Sequence, residues 1–201
     1  MKQSTVKLLY AYWNRVRNGR LAPRRLDIEP AAIAPLLPET FIAECAGPMR
    51  YRFRLVGTKI CHQFCRELGG TDFLDLWEQE DREEVTSLLV RIFGEGAVGE
   101  ATFLAHTKSG RSCRFDLLLM PLTHGGDAVN RCLGAIAAAD APFWLGAEPD
   151  LTLELIDTAL HWPKGEPAQA PRPQEAPHPS QLEALIRSRF TVHDGGLSSR
   201  D

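Results

Sequence analysis

From Arg50 to Trp77 the chain reads RYRFRLVGTKICHQFCRELGGTDFLDLW, and the spacing of its apolar residues changes midway. Tyr51, Phe53 and Leu55 alternate with Arg52 and Arg54, the period of a strand with one buried face. After Gly57 the apolar residues Ile60 and Phe64 fall four apart, so the strand gives way to a short helix. Gly69-Gly70 ends that helix, and FLDLW from Phe73 reads as a further apolar turn. Upstream, Ser4 can cap a helix running to Arg17 with Val6, Leu9, Trp13 and Val16 on one stripe and Gly19 as its stop. Asp27 and Pro30 announce a second short helix, Pro30 to Leu36. FIAEC, from Phe41 to Cys45, reads as a strand, and Gly47-Pro48 folds it back into the strand at Tyr51 as a hairpin.

Downstream of Trp77, Asp81 opens the longest mid-chain helix, striped by Val85, Leu88, Leu89, Ile92 and Phe93 and ended by Gly94 and Gly96. Val98 to Lys108 and Arg111 to Leu122 read as partner strands about the turn Ser109-Gly110, with Cys113, Phe115, Leu117 and Leu119 on one face. Cys132 opens the last strong strand, CLGAIAAA, whose small residues permit close approach of another element. That makes five strands. Leu151, Leu153 and Leu155 alternate with Thr152 and Glu154, which fits an extra edge strand and leaves a helix open.

Two strands, short helices, one longer helix and three antiparallel strands form the element order of the PAS sensor fold. The sequence also resembles one bacterial family of PAS-like proteins. The resemblance rests on Tyr12-Trp13, PRRLDIEP from Pro23 to Pro30, RLVGT from Arg54 to Thr58, RELGG from Arg66, and the late strands LLLMPL and CLGA. Cys65 and Gly69 depart from the glycine and threonine expected there, which alters the pocket floor. The resemblance implies an α+β domain with a five-stranded antiparallel sheet, short helices on one face and an N-terminal flanking helix, used for sensing or docking. The chain then divides into flanking helices (1–38), a PAS-like core (39–145), an extension (146–162), a proline-rich linker (163–180) and a short amphipathic helix with its tail (181–201). In that last segment Leu182, Leu185, Ile186 and Phe190 form an apolar stripe that needs a surface to dock on.

Composition narrows the setting. The chain is 44% hydrophobic and 24% charged, an ordinary globular balance, and no apolar run approaches the roughly 20 residues that cross a bilayer. Five cysteines, an odd number scattered through apolar patterns, suit reduced thiols and a cytoplasmic location. The net charge of −3 hides an asymmetry, with seven Lys and Arg before the first acid, Asp27, and an acidic run from Glu67 to Glu84. Nucleic-acid binding is disfavoured because the basic helix has an apolar stripe to bury and the chain as a whole is not basic.

The candidate chemistry is thin. GRSCRF around Cys113 superficially resembles the flavin-adduct motif of blue-light PAS domains, but Cys113 falls inside a strand where that motif needs a helix. Cys61, His62 and Cys65 are too few for a structural zinc site. His62 or His106 could serve as a single haem ligand, as in some PAS proteins, though a lone histidine is more often a satisfied polar residue. Neither GxSxG, HExxH nor a phosphate-binding glycine loop occurs, so an enzyme is not expected, and no cofactor is expected either. Arg25 and Asp27 are expected to pair with one another or to cap the next helix, in preference to a ligand role.

Two functions follow. In one, the chain is a regulatory module acting through a protein partner, its interior filled by its own side chains. In the other, a pocket bounded by Phe53, Leu55, Ile60, Phe64, Phe73, Phe93, Phe103 and Phe115 admits a small molecule. Val6, Leu9, Trp13 and Val16 must be buried either on the domain's sheet or on the same helix of a second copy, and a homodimer is the expected arrangement.

Overall fold

β4 (Ser112–Thr123) carries the densest apolar run, and every residue from Leu117 to Thr123 is buried. A strand buried on both faces needs cover on both sides of its sheet. The computed structural model, which describes residues 4–165, supplies that cover as two separate cores. Cys113, Phe115, Leu117 and Leu119 face the larger core, while Leu118, Met120 and Leu122 face the smaller one, as the two-residue period of a strand requires.

The sheet has six strands rather than five: β1 (Thr40–Gly47), β2 (Arg50–Val56), β3 (Val98–His106), β4, β5 (Val129–Ala138) and β6 (Thr152–His161). Their order is β2-β1-β5-β4-β3-β6, and every neighbouring pair is antiparallel. The Leu151 to Leu155 alternation belongs to a strand, which extends to His161 and pairs along the whole outer edge of β3. Acids of the run after Trp77 fasten this strand to a helix. Asp81 accepts from the Leu155 amide at 2.8 Å, and the Thr158 hydroxyl donates to Glu84 at 2.7 Å.

That helix, α3 (Gln79–Glu95), starts two residues before Asp81 and runs through Gly94 to a left-handed cap at Gly96. With α2 (Thr58–Gln63) and the 3-10 turn Phe73–Leu76 it covers the larger core. The other face of the sheet is covered by α1 (Thr5–Arg17) and by the segment that follows it. Ser4 caps α1, its hydroxyl accepting from the Lys7 amide, and Asn18 takes the left-handed position at its end, one residue before Gly19. Leu9, Tyr12 and Trp13 are buried, with Val6 and Val16 packed beside them. The helix expected from Pro30 to Leu36 is only the 3-10 turn Pro30–Ile33, followed by another at Leu37–Glu39. Pro35 and Pro38 lack the N–H groups a continuous helix would use.

Among the described residues no helix is long and apolar enough to cross a membrane. Leu182, Leu185, Ile186 and Phe190, and the proline-rich stretch after residue 165, lie outside the described residues.

Candidate functional site

The interior under α2 and α3 is a chain of touching rings. Phe103 stacks on Phe115 with centroids 5.2 Å apart and planes 5° from parallel, and Trp77 meets Phe103 edge-on at 5.3 Å. Phe73 bridges Trp77 to Phe41 and Phe53, and Phe64 closes on Phe115 at 6.2 Å. Of the eight candidate pocket residues, Phe53, Ile60, Phe64, Phe73, Phe103 and Phe115 are therefore buried together, with their own side chains as mutual partners. Phe93 is half-buried at the margin, 5.2 Å from the Tyr51 ring.

Leu55 does not bound this interior. It is 57% exposed and lines a groove on the opposite face of the sheet. The cause is a bulge between β1 and β2: Ala43 pairs with Phe53 and Ile42 pairs with Leu55, so Arg54 is the extra residue. One inserted residue shifts the following side chain to the other face.

Two polar groups of the interior lack partners. Gln63, at the end of α2, is 2% exposed, and neither its Oε1 nor its Nε2 has a hydrogen-bond partner among the described residues; the same holds for Nε1 of buried Trp77. The sequence did carry a signal for Gln63, because it sits three residues after Ile60 and next to Phe64, inside the apolar stripe of a short helix.

The histidines considered as haem ligands are placed elsewhere. His62 is exposed, and His106 lies 2.8 Å from Glu154 at the β3–β6 edge. No histidine among the described residues is buried, so this set of donors does not fit an interior haem. Nor does any group of three or more His, Cys, Asp or Glu among the described residues come together as a metal site. Cys113 lies in β4 facing the larger core; burial, with Asp140 nearby, pushes its thiol pKa up. Cys132 is pushed up to about 12 by burial alone against a small opposing effect of the Met120 backbone. Asp27 pairs with Arg20 at 2.7 Å, and so meets neither expectation for it: it does not pair with Arg25, and the turn at Pro30 has no side-chain cap. The bond to Arg20, reinforced by the Arg24 amide, holds its carboxyl below the ordinary value.

The α1 stripe finds its surface within the chain. Trp13 is fully buried against β4 and β5, and its indole N–H donates to the Pro121 carbonyl at 2.9 Å. Arg15 and Arg17 turn outward over the rings of Tyr12 and Trp13. The apolar area that motivated a homodimer through this helix is thus already covered. Among the described residues the most exposed aromatic is instead Phe143, 93% exposed in the loop before β6, with the Arg111 guanidinium 5.9 Å from its ring centre.

An antiparallel sheet with a helical, aromatic-filled core on one face and a flanking helix on the other is a PAS-like α+β fold. A family model described as "PAS domain" matches residues 1–137, and the chain belongs to the PAS-domain family, whose members are sensory and signalling modules. No curated protein matches it. Among solved structures it is similar to the LOV protein of Rhodobacter sphaeroides, at 12% identity and a TM-score of 0.41 over 52% of this chain and 61% of that one. It is similar also to a PAS domain from Colwellia psychrerythraea, at 14% identity and a TM-score of 0.40 over 54% of this chain and 94% of that one. A light-oxygen-voltage domain studied with a flavin analogue matches at 12% identity and a TM-score of 0.44 over 55% of this chain and 83% of that one.

Proposed function

We propose that the chain is a non-enzymatic PAS-type regulatory module that passes its signal by contact with a separate protein. The observation that carries this reading is the interlocked interior: six of the eight candidate pocket residues are buried against one another, so the rings occupy the volume a guest would need. Output then has to leave through the surface, and Phe143 is the side chain best suited to it. Burying a large apolar side chain contributes about 1.5–3 kcal/mol, and aromatic and arginine residues dominate binding surfaces. Phe143 with Arg111 beside it offers both. The free thiols suit a reducing cytoplasm as the place of action.

A photo-crosslinking phenylalanine analogue at position 143, introduced in the native host, is expected to give one discrete protein adduct that an equal substitution at exposed Glu29 does not. A position-143 protein that yields no specific adduct overturns the reading.

A second reading, a small-molecule sensor, is favoured by Gln63. A dry, unpaired buried amide costs about 1–3 kcal/mol, which a bound polar guest or an ordered water at α2 would relieve. Native mass spectrometry of protein from its own host tests this, the expected result being a non-covalent mass increment retained by wild type and lost in Gln63→Leu.

A further inference from the structure

Over β4 and β5 the outer face of the sheet is sealed by α1. Over β1 and β2 the cover is the segment 25–38, broken by its prolines into short turns, and it leaves a groove of about 410 Å³. That volume falls within the roughly 300–1,000 Å³ of small-molecule sites. The walls are mainly aliphatic, Ile28 and Ile33 from the segment, Ile42 and Leu55 from the strands, Leu133 from β5, and Leu37, which is 37% exposed, and Phe41, Thr40 and Thr58 complete the lining.

Among the described residues Arg25 is the one charged residue that lines this groove, and it also lines a second hollow beside Thr123 and His124. It is half-buried, and it has no carboxylate partner among the described residues. Asp27 is bonded to Arg20 and the Arg24 amide, Glu39 to Lys59 and Thr5, and Glu29, exposed four residues on, makes no ion pair with Arg25. A half-buried guanidinium without an anion beside an aliphatic trough is complementary to a molecule with a long apolar body and a single negative end.

We propose that this groove binds a small amphiphile, an unbranched acyl chain ending in a carboxylate, with the chain along the aliphatic walls and the head on the Arg25 guanidinium. An extended peptide would bring a row of backbone N–H and C=O groups that aliphatic side chains cannot satisfy, whereas an acyl chain brings none. The site lies on the face away from the ring-filled interior, and it does not depend on the protein contact argued for Phe143. Its floor includes Leu55, two residues along β2 from Phe53 of the interior, so an occupant presses on the same bulged strand that holds the ring cluster.

Isothermal titration calorimetry of the full chain with dodecanoate, kept below its critical micelle concentration, tests the proposal. One saturable site is expected in wild type. Arg25→Gln is expected to weaken binding about tenfold, the loss of one charge-assisted hydrogen-bonded pair, and dodecan-1-ol should bind wild type as weakly as dodecanoate binds that variant. Ala34→Trp, at an exposed position on the groove wall, should abolish the heat while leaving the melting temperature unchanged.

The proposal is overturned by an absence of saturable heat in wild type, by equal affinities for dodecanoate and dodecan-1-ol, or by dodecanoate binding that survives Ala34→Trp. It is overturned also if sedimentation shows wild type self-associating, Ala34→Trp monomeric and no dodecanoate bound, since a second copy would then be the occupant.

Discussion

The Phe41 ring lies over Gly134, its direct partner across the β1–β5 ladder, and fills the space that a side chain at position 134 would need. Phe41 is itself buried and packs against Phe53 and Phe73, so the ring cannot swing away without disturbing the cluster. Gly134→Ala is therefore expected to destabilise the domain by about 1–3 kcal/mol through overpacking, and Gly134→Val by more. Thermal or urea denaturation measures this. A neutral Gly134→Ala would show that β1 and β5 can separate freely and that the ring contact is slack.

Trp13 ties α1 to the sheet in two ways, by filling the smaller core and by donating its indole N–H to Pro121. The β3–β4 ladder ends at Gly99 and Leu119, which leaves the Pro121 carbonyl available to the indole. Trp13→Ala should cost about 3–5 kcal/mol. Trp13→Phe keeps most of the apolar volume and should cost less, about 1–3 kcal/mol for the orphaned carbonyl and the smaller ring. Chemical denaturation of both variants, with analytical ultracentrifugation alongside, checks the assignment. Loss of a dimer with no loss of stability would place the tryptophan at an interface between copies rather than on its own sheet.

Much of this architecture was written in periodicity. The four-residue stripes of α1 and α3 and the alternation of β4 were legible because the buried face they predict is the face that packs, although the sequence left both the domain's own sheet and a second copy open as the surface for α1. The parity of β2 was not legible. Tyr51, Phe53 and Leu55 alternate without a break in sequence, and only the pairing of β2 with β1 inserts Arg54 as a bulge and turns Leu55 outward. The Asp27 pairing was not legible for a related reason. Arg25 is nearer in sequence, but the tight 3-10 turn Arg25–Asp27 directs the carboxylate back to Arg20 and the Arg24 amide. Gln63 and Phe143 were not legible as functional candidates, and the ligand role of Arg25 ranked below pairing or capping, because each is conspicuous only through what it lacks, a partner or a cover, and partners belong to the fold rather than to the chain.

Thiol chemistry should separate the five cysteines. Cys45 and Cys65 are exposed, whereas Cys113 and Cys132 are buried with raised pKa values. Alkylation of native protein near pH 8, followed by peptide mass spectrometry, should modify Cys45 and Cys65 first and Cys132 only on unfolding, since the thiolate is the reactive form. The same burial has a thermodynamic consequence. Cys132 keeps its proton up to about 12 in the folded state, against 9.0 ordinarily. Above pH 9.0 the unfolded chain binds fewer protons than the native one, so stability falls with rising pH across that window. Cys132→Ala should lower stability at neutral pH by leaving a small void and should remove its share of the alkaline decline. An unchanged alkaline slope in the variant would mean that Cys132 is accessible to solvent.

Gln63 gives the sharpest separation between a filled interior and a receptive one. If the amide is dry, replacing it by an apolar side chain of similar size removes a desolvation penalty and creates none, so Gln63→Leu should raise stability by about 1–3 kcal/mol. If instead a guest or an ordered water bonds to Oε1 and Nε2, the same substitution removes those bonds, and stability should fall or stay level while the guest is lost. Gln63→Met, also apolar and of similar length, should repeat the pattern in sign. Denaturation of protein purified from the native host, compared with protein refolded from denaturant without small molecules, distinguishes the two outcomes. Both variants more stable than wild type in both preparations establishes a self-filled core. A wild type that loses stability on refolding, and variants that do not, establishes an occupant at α2.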